Sequence, residues 1–103
     1  MNIGYLRVST GKQELENQKF ALLDYSNSVN QKIDTWIEDE ISGKIRENSL
    51  VQKLDELNKG DVIFVSELSR LGRSVGAIMS ILDQCKQKNI TLHAVKEKFI
   101  SSE

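Results

Sequence analysis

Four consecutive apolar residues, Val62-Ile63-Phe64-Val65, follow Asp61 and leave this chain few ways to fold. A strand with one wet face alternates apolar and polar residues, because successive side chains point to opposite faces. An unbroken run predicts a strand buried on both faces, the central position in a parallel sheet with helices above and below. The rest of the chain supplies matching pieces. Asn2–Val8 reads as a first strand. Leu15 to about Tyr25 reads as a helix, with Leu15, Gln18 and Leu22 on one side and Phe20 outside that stripe. Ser26-Asn27-Ser28-Val29-Asn30 has loop composition. Lys32–Glu38 reads as a strand carrying Ile33, Thr35 and Ile37 on one side and Trp36 on the other.

Asp39–Asn48 has no clear period around Ser42-Gly43-Lys44 and reads as a mobile loop. Leu50, Leu54 and Leu57 mark a short amphipathic helix, with Gly60 expected at its C′ position. Ser66–Gly72 reads as a turn or helical turn, and Ser74 as the cap of a helix running to about Lys88. Ile90–Val95 is a further strand, and the Lys96–Glu103 tail offers little beyond Phe99 and Ile100. Strands alternating with helices predict an α/β fold, a three-layer sandwich with a largely parallel central sheet flanked by helices. Right-handed crossovers then bring the carboxyl ends of the strands to one edge, where open α/β sheets place their ligand sites. Ser9, the loop holding Arg46, and Arg70 follow three different strands and should meet there.

The 103 residues support one small domain. No apolar stretch reaches the roughly 20 residues of a membrane span, and the amino terminus has no signal-peptide pattern. One cysteine, Cys85, excludes an internal disulfide framework and suits a reducing cytoplasm. A single His and a single Cys argue against a His/Cys metal site. The net charge of −1 argues against an autonomous nucleic-acid-binding module, which would be basic. It permits a catalytic domain whose positive charge is concentrated in one place.

Strand alternation puts Tyr5, Arg7 and Ser9 on one face. An Arg inside a buried strand is costly unless an anion or a hydrogen-bond acceptor receives it. A structural alternative makes Thr10 and Gln13 a capping box, with Ser9 merely ending the strand. Arg70 and Arg73, three apart, share a face if the turn is helical, and could simply be a solvated basic surface. Four guanidiniums converging on a serine favour a polyanion between them, because the planar fork fits phosphate oxygens. The serine then reads as a nucleophile for phosphoryl transfer, with arginines stabilising the developing charge.

Other residues read as structural. Cys85 should pack with Val75, Ile78, Met79 and Leu82 on an inward stripe, which Ile81 and Ala77 extend round one flank. That flank is either a docking surface or is covered by Phe99 and Ile100 of the tail. His93 and Trp36 read as packing residues, and Glu38-Asp39-Glu40 as solvated acids.

Tyr5-Leu6-Arg7-Val8-Ser9-Thr10, with Gln13 and Gln18, resembles the start of the serine recombinases, the resolvase and invertase family. Leu68-Ser69-Arg70-Leu71-Gly72-Arg73 resembles that family's second arginine motif, and the likeness runs over essentially the whole chain. The resemblance implies the catalytic domain of a site-specific DNA recombinase. Ser9 would attack a DNA phosphodiester to form a 5′-phosphoserine, with Arg7, Arg70 and Arg73 activating the phosphate. Tyr5, Gln13, Gln18, Arg46 and Ser69 would support the site or contact DNA. It further implies strand exchange within a tetramer, rejoining by reversal of the attack, and no need of metal or ATP. The family also carries a long oligomerising helix and a helix-turn-helix domain, so residues 1–103 alone should be monomeric or weakly associated and grip DNA weakly. One departure stands out: Ser69 lies where the family often has an acid, with Glu67 two residues earlier. A non-cutting regulatory homologue is therefore one rival. A phosphate-binding or receiver-like α/β signalling module is another, although it would need phosphoacceptor acids ending the first or third strand.

Overall fold

A computed structural model describes residues 1–9, 12–40 and 49–101. The elements run β1 (Asn2–Val8), α1 (Lys12–Ser28), β2 (Thr35–Glu40), α2 (Ser49–Leu54), β3 (Val62–Val65), a 3₁₀ turn (Leu68–Leu71), α3 (Val75–Lys88), β4 (Thr91–Ala94) and β5 (Phe99–Ile100). They build one five-stranded sheet in the order β2-β1-β3-β4-β5, parallel except for the last pair. Two layers of core lie on its faces. On one side Ile3, Tyr5, Ile63, Val65 and Leu92 pack with Leu50 and Leu54 of α2 and Ile81 and Cys85 of α3. On the other, Leu6 and Phe64 pack with Leu22 of α1, Ile33 and Trp36. The apolar run of β3 is thus buried from both sides, and the predicted three-layer α/β sandwich is the observed architecture. Among the described residues, no helix is long and apolar enough to cross a membrane.

Several local expectations change. α1 begins at Lys12 and continues through Ser28, beyond the loop-like Ser26-Asn27-Ser28 composition. The hydroxyls of Ser26 and Ser28 donate to the carbonyls of Leu23 and Tyr25, so they bond along the helix instead of breaking it. β2 starts at Thr35 and extends through Glu40, which makes Asp39 and Glu40 strand residues. The remainder of the expected mobile loop, 41–48, lies outside the described residues. Ile33 precedes the strand and joins Trp36 on the α1 side, while Ile37 packs on the opposite face. Trp36 closes over Gly4: a β-carbon there would lie 2.5 Å from the indole ring, so only glycine fits.

Gly60 does not cap α2, which ends six residues earlier at Leu54. It adopts φ +95° in the turn into β3 and donates its N–H to Asn89. Ser74 does cap α3, accepting from the Ala77 N–H at 3.1 Å, and a left-handed Asn89 ends that helix. The inward stripe of α3 matches the expected one in part, since Ile78 and Leu82 pack against the core with Cys85. Ile81 and Cys85 are buried, whereas Val75 and Met79 are 77% and 57% exposed. Cys85 keeps its packing role, and burial pushes its thiol up to about 11. The tail is more structured than expected, since Phe99 and Ile100 form β5 beside β4. They do not close the flank: an open groove of about 870 Å³ remains between β5 and α3, lined by Met79, Leu82, Phe99 and Ile100 among others.

At its carboxyl end β1 outruns β3. Their pairing stops at Tyr5–Val65, while β1 stays paired with β2 through Val8–Glu40. Gln18 of α1 fills the vacancy: its side chain accepts from the Arg7 N–H at 3.2 Å and donates to the Arg7 carbonyl at 2.9 Å. One amide thereby does the work of a missing strand and fixes α1 against the sheet. Gln18→Ala should leave the buried Arg7 N–H unpaired and lower stability by about 1–3 kcal/mol, measured by urea denaturation.

His93 occupies a buried position on β4, stacked on Phe64 at 4.8 Å between centroids. Its Nδ1 shares a 2.8 Å hydrogen bond with the Tyr25 hydroxyl, which bears out a packed and satisfied ring. Burial lowers its pKa below the ordinary 6.5. The unfolded chain therefore takes up this proton first as pH falls. The contribution to stability is complete above about pH 6.5 and is lost below it, until the folded imidazole protonates in turn. Urea denaturation between about pH 8 and pH 5 should show this decline, and His93→Gln should flatten it.

Candidate active site

The site sits where β1 and β3 end and α1 and the 3₁₀ turn begin. Ser9 lies one residue beyond β1 and is exposed. Its hydroxyl donates to Glu14 Oε2 on the first turn of α1, at 3.3 Å. The other oxygen of that carboxylate lies 3.1 Å from an Arg70 guanidinium nitrogen, and Gln18 Nε2 donates to it at 3.5 Å. The same Arg70 nitrogen donates to the Arg7 carbonyl at 3.3 Å. The sheet thus brings Ser9 and Arg70, 61 residues apart in sequence, onto one carboxylate. The predicted meeting at the sheet edge holds for these two. Arg46 and Thr10 lie outside the described residues.

Arg70 is a partly buried cation between two acids, with Glu67 Oε2 3.9 Å from its Nε. Glu67 also accepts from the Ser69 hydroxyl at 2.8 Å and lies 3.8 Å from the Lys96 ammonium. Glu67 therefore faces the second arginine motif despite its different position in the sequence. Ser69, which stands where the family often has an acid, donates to that carboxylate. The 3₁₀ turn ends at Leu71, and Gly72 is fully extended. Arg73 consequently lies beyond the turn that carries Arg70, and the shared helical face expected for the pair does not form.

Arg7 is almost fully buried, as the continuous burial of β1 requires. Beside it the Tyr5 hydroxyl donates to Asp39 Oδ2 at 2.7 Å. Asp39 stands opposite Arg7 across the β1–β2 pair and also accepts from the Ser49 N–H at 2.9 Å and from its hydroxyl. Burial first, and then the bond to Asp39, push the Tyr5 phenol far above its ordinary value, with Arg7 partly offsetting both. Tyr5 is therefore a neutral donor that ties β1 to β2 and, through Asp39, to the start of α2. Gln13, exposed on α1, donates to Asn17 at 3.3 Å.

Sequence reasoning missed Glu14 and Asp39. Asp39 is no solvated acid: strand register aims it at Tyr5. Glu14 carried one legible signal, standing four residues before Gln18 on the same helical face.

The chain is 31% identical to the resolvase of Clostridium perfringens (strain 13 / Type A), over 99% of this chain and 52% of that protein. It is 35% identical to the DNA-invertase hin of Salmonella typhimurium, over 97% and 50%. It thus spans about half the length of these curated relatives. Among solved structures, the N-terminal catalytic domain of TP901-1 integrase matches with a TM-score of 0.78 at 23% identity, covering 100% of this chain and 83% of that one. A resolvase family site-specific recombinase from Streptococcus pneumoniae matches at 0.73 and 23% identity, covering 98% and 76%. At these identities the structural likeness is one of fold. The family model for the resolvase N-terminal domain matches residues 2–103. With the two arginine motifs in place on the sheet that the alternation of strands and helices predicted, and with the family match leaving the signalling-module alternative behind, the chain belongs to the resolvase N-terminal domain family.

Proposed function

We propose that this chain is the catalytic domain of a site-specific DNA recombinase, with Ser9 as nucleophile. The observation that carries the reading is the exposed Ser9 hydroxyl held, through one carboxylate, within reach of Arg70 at the carboxyl edge of a parallel sheet. Ser9 Oγ attacks the phosphodiester, the 3′ oxygen leaves, and a 5′-phosphoserine holds the broken strand until a 3′ hydroxyl reverses the attack. Arg70 and Arg7, joined by Arg73 and Arg46, stabilise the charge that gathers on the phosphorus oxygens. Tyr5 and Gln18 position β1, and Gln13 and Ser69 are polar groups available to DNA at the rim. Removing one charged donor of this kind typically slows such chemistry by about 10²–10³-fold.

DNA is the substrate in this reading, and the setting is the cytoplasm, in keeping with one buried thiol and no disulfide. The near-neutral charge supports a division of labour. Residues 1–103 would perform the chemistry, and segments corresponding to the rest of the relatives' length would supply sequence recognition and self-association. By themselves these residues should hold DNA no better than about 10⁻⁴ M. The exposed Val75 and Met79 and the groove beside β5 suit self-association through an added helix.

On a duplex bearing the recombination site, Ser9→Ala should form no covalent protein–DNA adduct. Arg70→Lys should fold normally and cleave at least about tenfold more slowly, because a point charge loses the two-pronged geometry. An adduct trapped with Ser9→Ala would refute the nucleophile, and wild-type cleavage by Arg70→Lys would refute the role of that arginine. An intact fold with no adduct from the unaltered protein would favour the non-cutting homologue. Sedimentation should show residues 1–103 as a monomer or weak associate, with tight dimers only when the chain is extended through a following helix. A tight dimer of residues 1–103 would count against that arrangement.

A further inference from the structure

A serine hydroxyl is a weak nucleophile until a base takes its proton. His93 cannot serve, being buried on β4 against Phe64 and bonded to Tyr25. Asp39 is occupied by Tyr5 and Ser49. Glu67 is occupied by Ser69 and lies beside Lys96 and Arg70. Glu14 is different, because the Ser9 hydroxyl already donates to its Oε2. We propose that Glu14 is a further catalytic residue, the carboxylate that accepts the Ser9 proton as Oγ attacks phosphorus. The inference rests on the recombinase reading of Ser9 and deepens it.

The placement meets the geometric demands on a general base. Nucleophile and base are hydrogen-bonded at 3.3 Å, a length that commonly shortens once substrate is bound. The base is itself oriented, with Oε1 held by Arg70 at 3.1 Å and by Gln18 at 3.5 Å, leaving Oε2 for Ser9. Gln18, one turn further along α1, is locked to the Arg7 backbone, so the helix bearing Glu14 is registered to the strand that leads to Ser9. Among the described residues, the charged group facing Glu14 is Arg70 from the 3₁₀ turn, which meets Glu67 on its far side, while β1 offers the neutral Arg7 carbonyl. An entering phosphodiester competes for Arg70. As the guanidinium turns to the phosphate, it leaves the Glu14 carboxylate to the Ser9 hydroxyl.

The step balances. The Ser9 O–H bond breaks and its proton passes to Glu14 Oε2 while the Oγ–P bond forms. The P–O3′ bond breaks, its electron pair leaves on O3′, and that oxygen takes one proton from solvent water. On rejoining, the attacking 3′ hydroxyl gives up a proton to solvent, and Glu14 returns its own to the departing Ser9 oxygen.

The test uses the complete gene product on its own crossover site, with a sulfur atom bridging at the 3′ position of the scissile phosphate. A thiolate leaves without protonation, so only activation of the nucleophile is read. Covalent adduct is measured on denaturing gels across a range of pH. Wild type should accelerate from acid pH to a plateau. Glu14→Gln should slow adduct formation by about 10²–10⁴-fold and lose that acid-side dependence. Glu14→Asp, which keeps the carboxylate, should recover part of the rate together with the pH dependence. If Glu14→Gln reacts at the wild-type rate or faster, or is slower with the acid-side dependence intact, Glu14 merely screens Arg70 and the proposal is overturned. Failure of Glu14→Asp to recover either property overturns it as well. Ser9→Ala separates the two readings: an adduct from that variant removes the nucleophile itself, whatever Glu14 does.

Discussion

A strand that outruns its neighbour leaves backbone donors and acceptors that must find partners elsewhere. Here β1 continues past the last β1–β3 pair at Tyr5–Val65, and the orphaned groups of Arg7 are taken up by the Gln18 amide and the Arg70 guanidinium. That single mismatch organises the candidate active-site edge. It docks α1, and with it Glu14, beside the end of β1. It also draws the 3₁₀ turn after β3 across the gap, so that Arg70 arrives within reach of Ser9. Hydrogen bonds needed to finish the sheet are the ones that place the candidate chemistry.

The electrostatics of the edge follow from the same geometry. Isolated arginines in a partly buried cleft would repel one another, yet the resting site is close to balanced. Arg70 lies between Glu14 and Glu67, and Asp39 stands opposite Arg7 across the sheet. The partly exposed pairs of Arg70 with Glu14 and Glu67 contribute little to stability. Their effect is to hold the Arg70 guanidinium in place, and in the proposed reaction a phosphate would displace the carboxylates. A net charge of −1 for the chain is therefore compatible with an anion site, because the acids that offset the arginines are local and replaceable. Ser69 fits the same pattern: the acidic charge it lacks is provided beside Arg70 by two residues from other positions.

Much of this was written in the chain order. The unbroken apolar run of β3, the alternation of strands and helices, and Ser74 ahead of an apolar stripe dictate a parallel sheet with covered faces, because each pattern has one inexpensive way to bury its side chains. Two arginine motifs following two strands of such a sheet must meet at one edge. Burial of Leu22, Leu50 and Leu54, exposure of Phe20, and the packed ring of His93 were legible for the same reason. Periodicity reports which side of an element is apolar, and little else.

What tertiary structure alone decided depends on register and on the ends of elements. Whether Ile33 faces Trp36 or Ile37 turns on where β2 begins, and one residue of shift reverses every side chain. Which stripe of α3 faces inward was ambiguous, because apolar residues cover more than half of its circumference; docking on the sheet buried Ile81 and Cys85 and left Val75 and Met79 outside. Phe99 and Ile100 are too short a run to announce a strand, and exist as one only because β4 offers an open edge. Above all, the sequence by itself determined that a serine and arginines share an edge. That a glutamate stands between them followed from a register difference of a few residues between two strands, which no local pattern encodes.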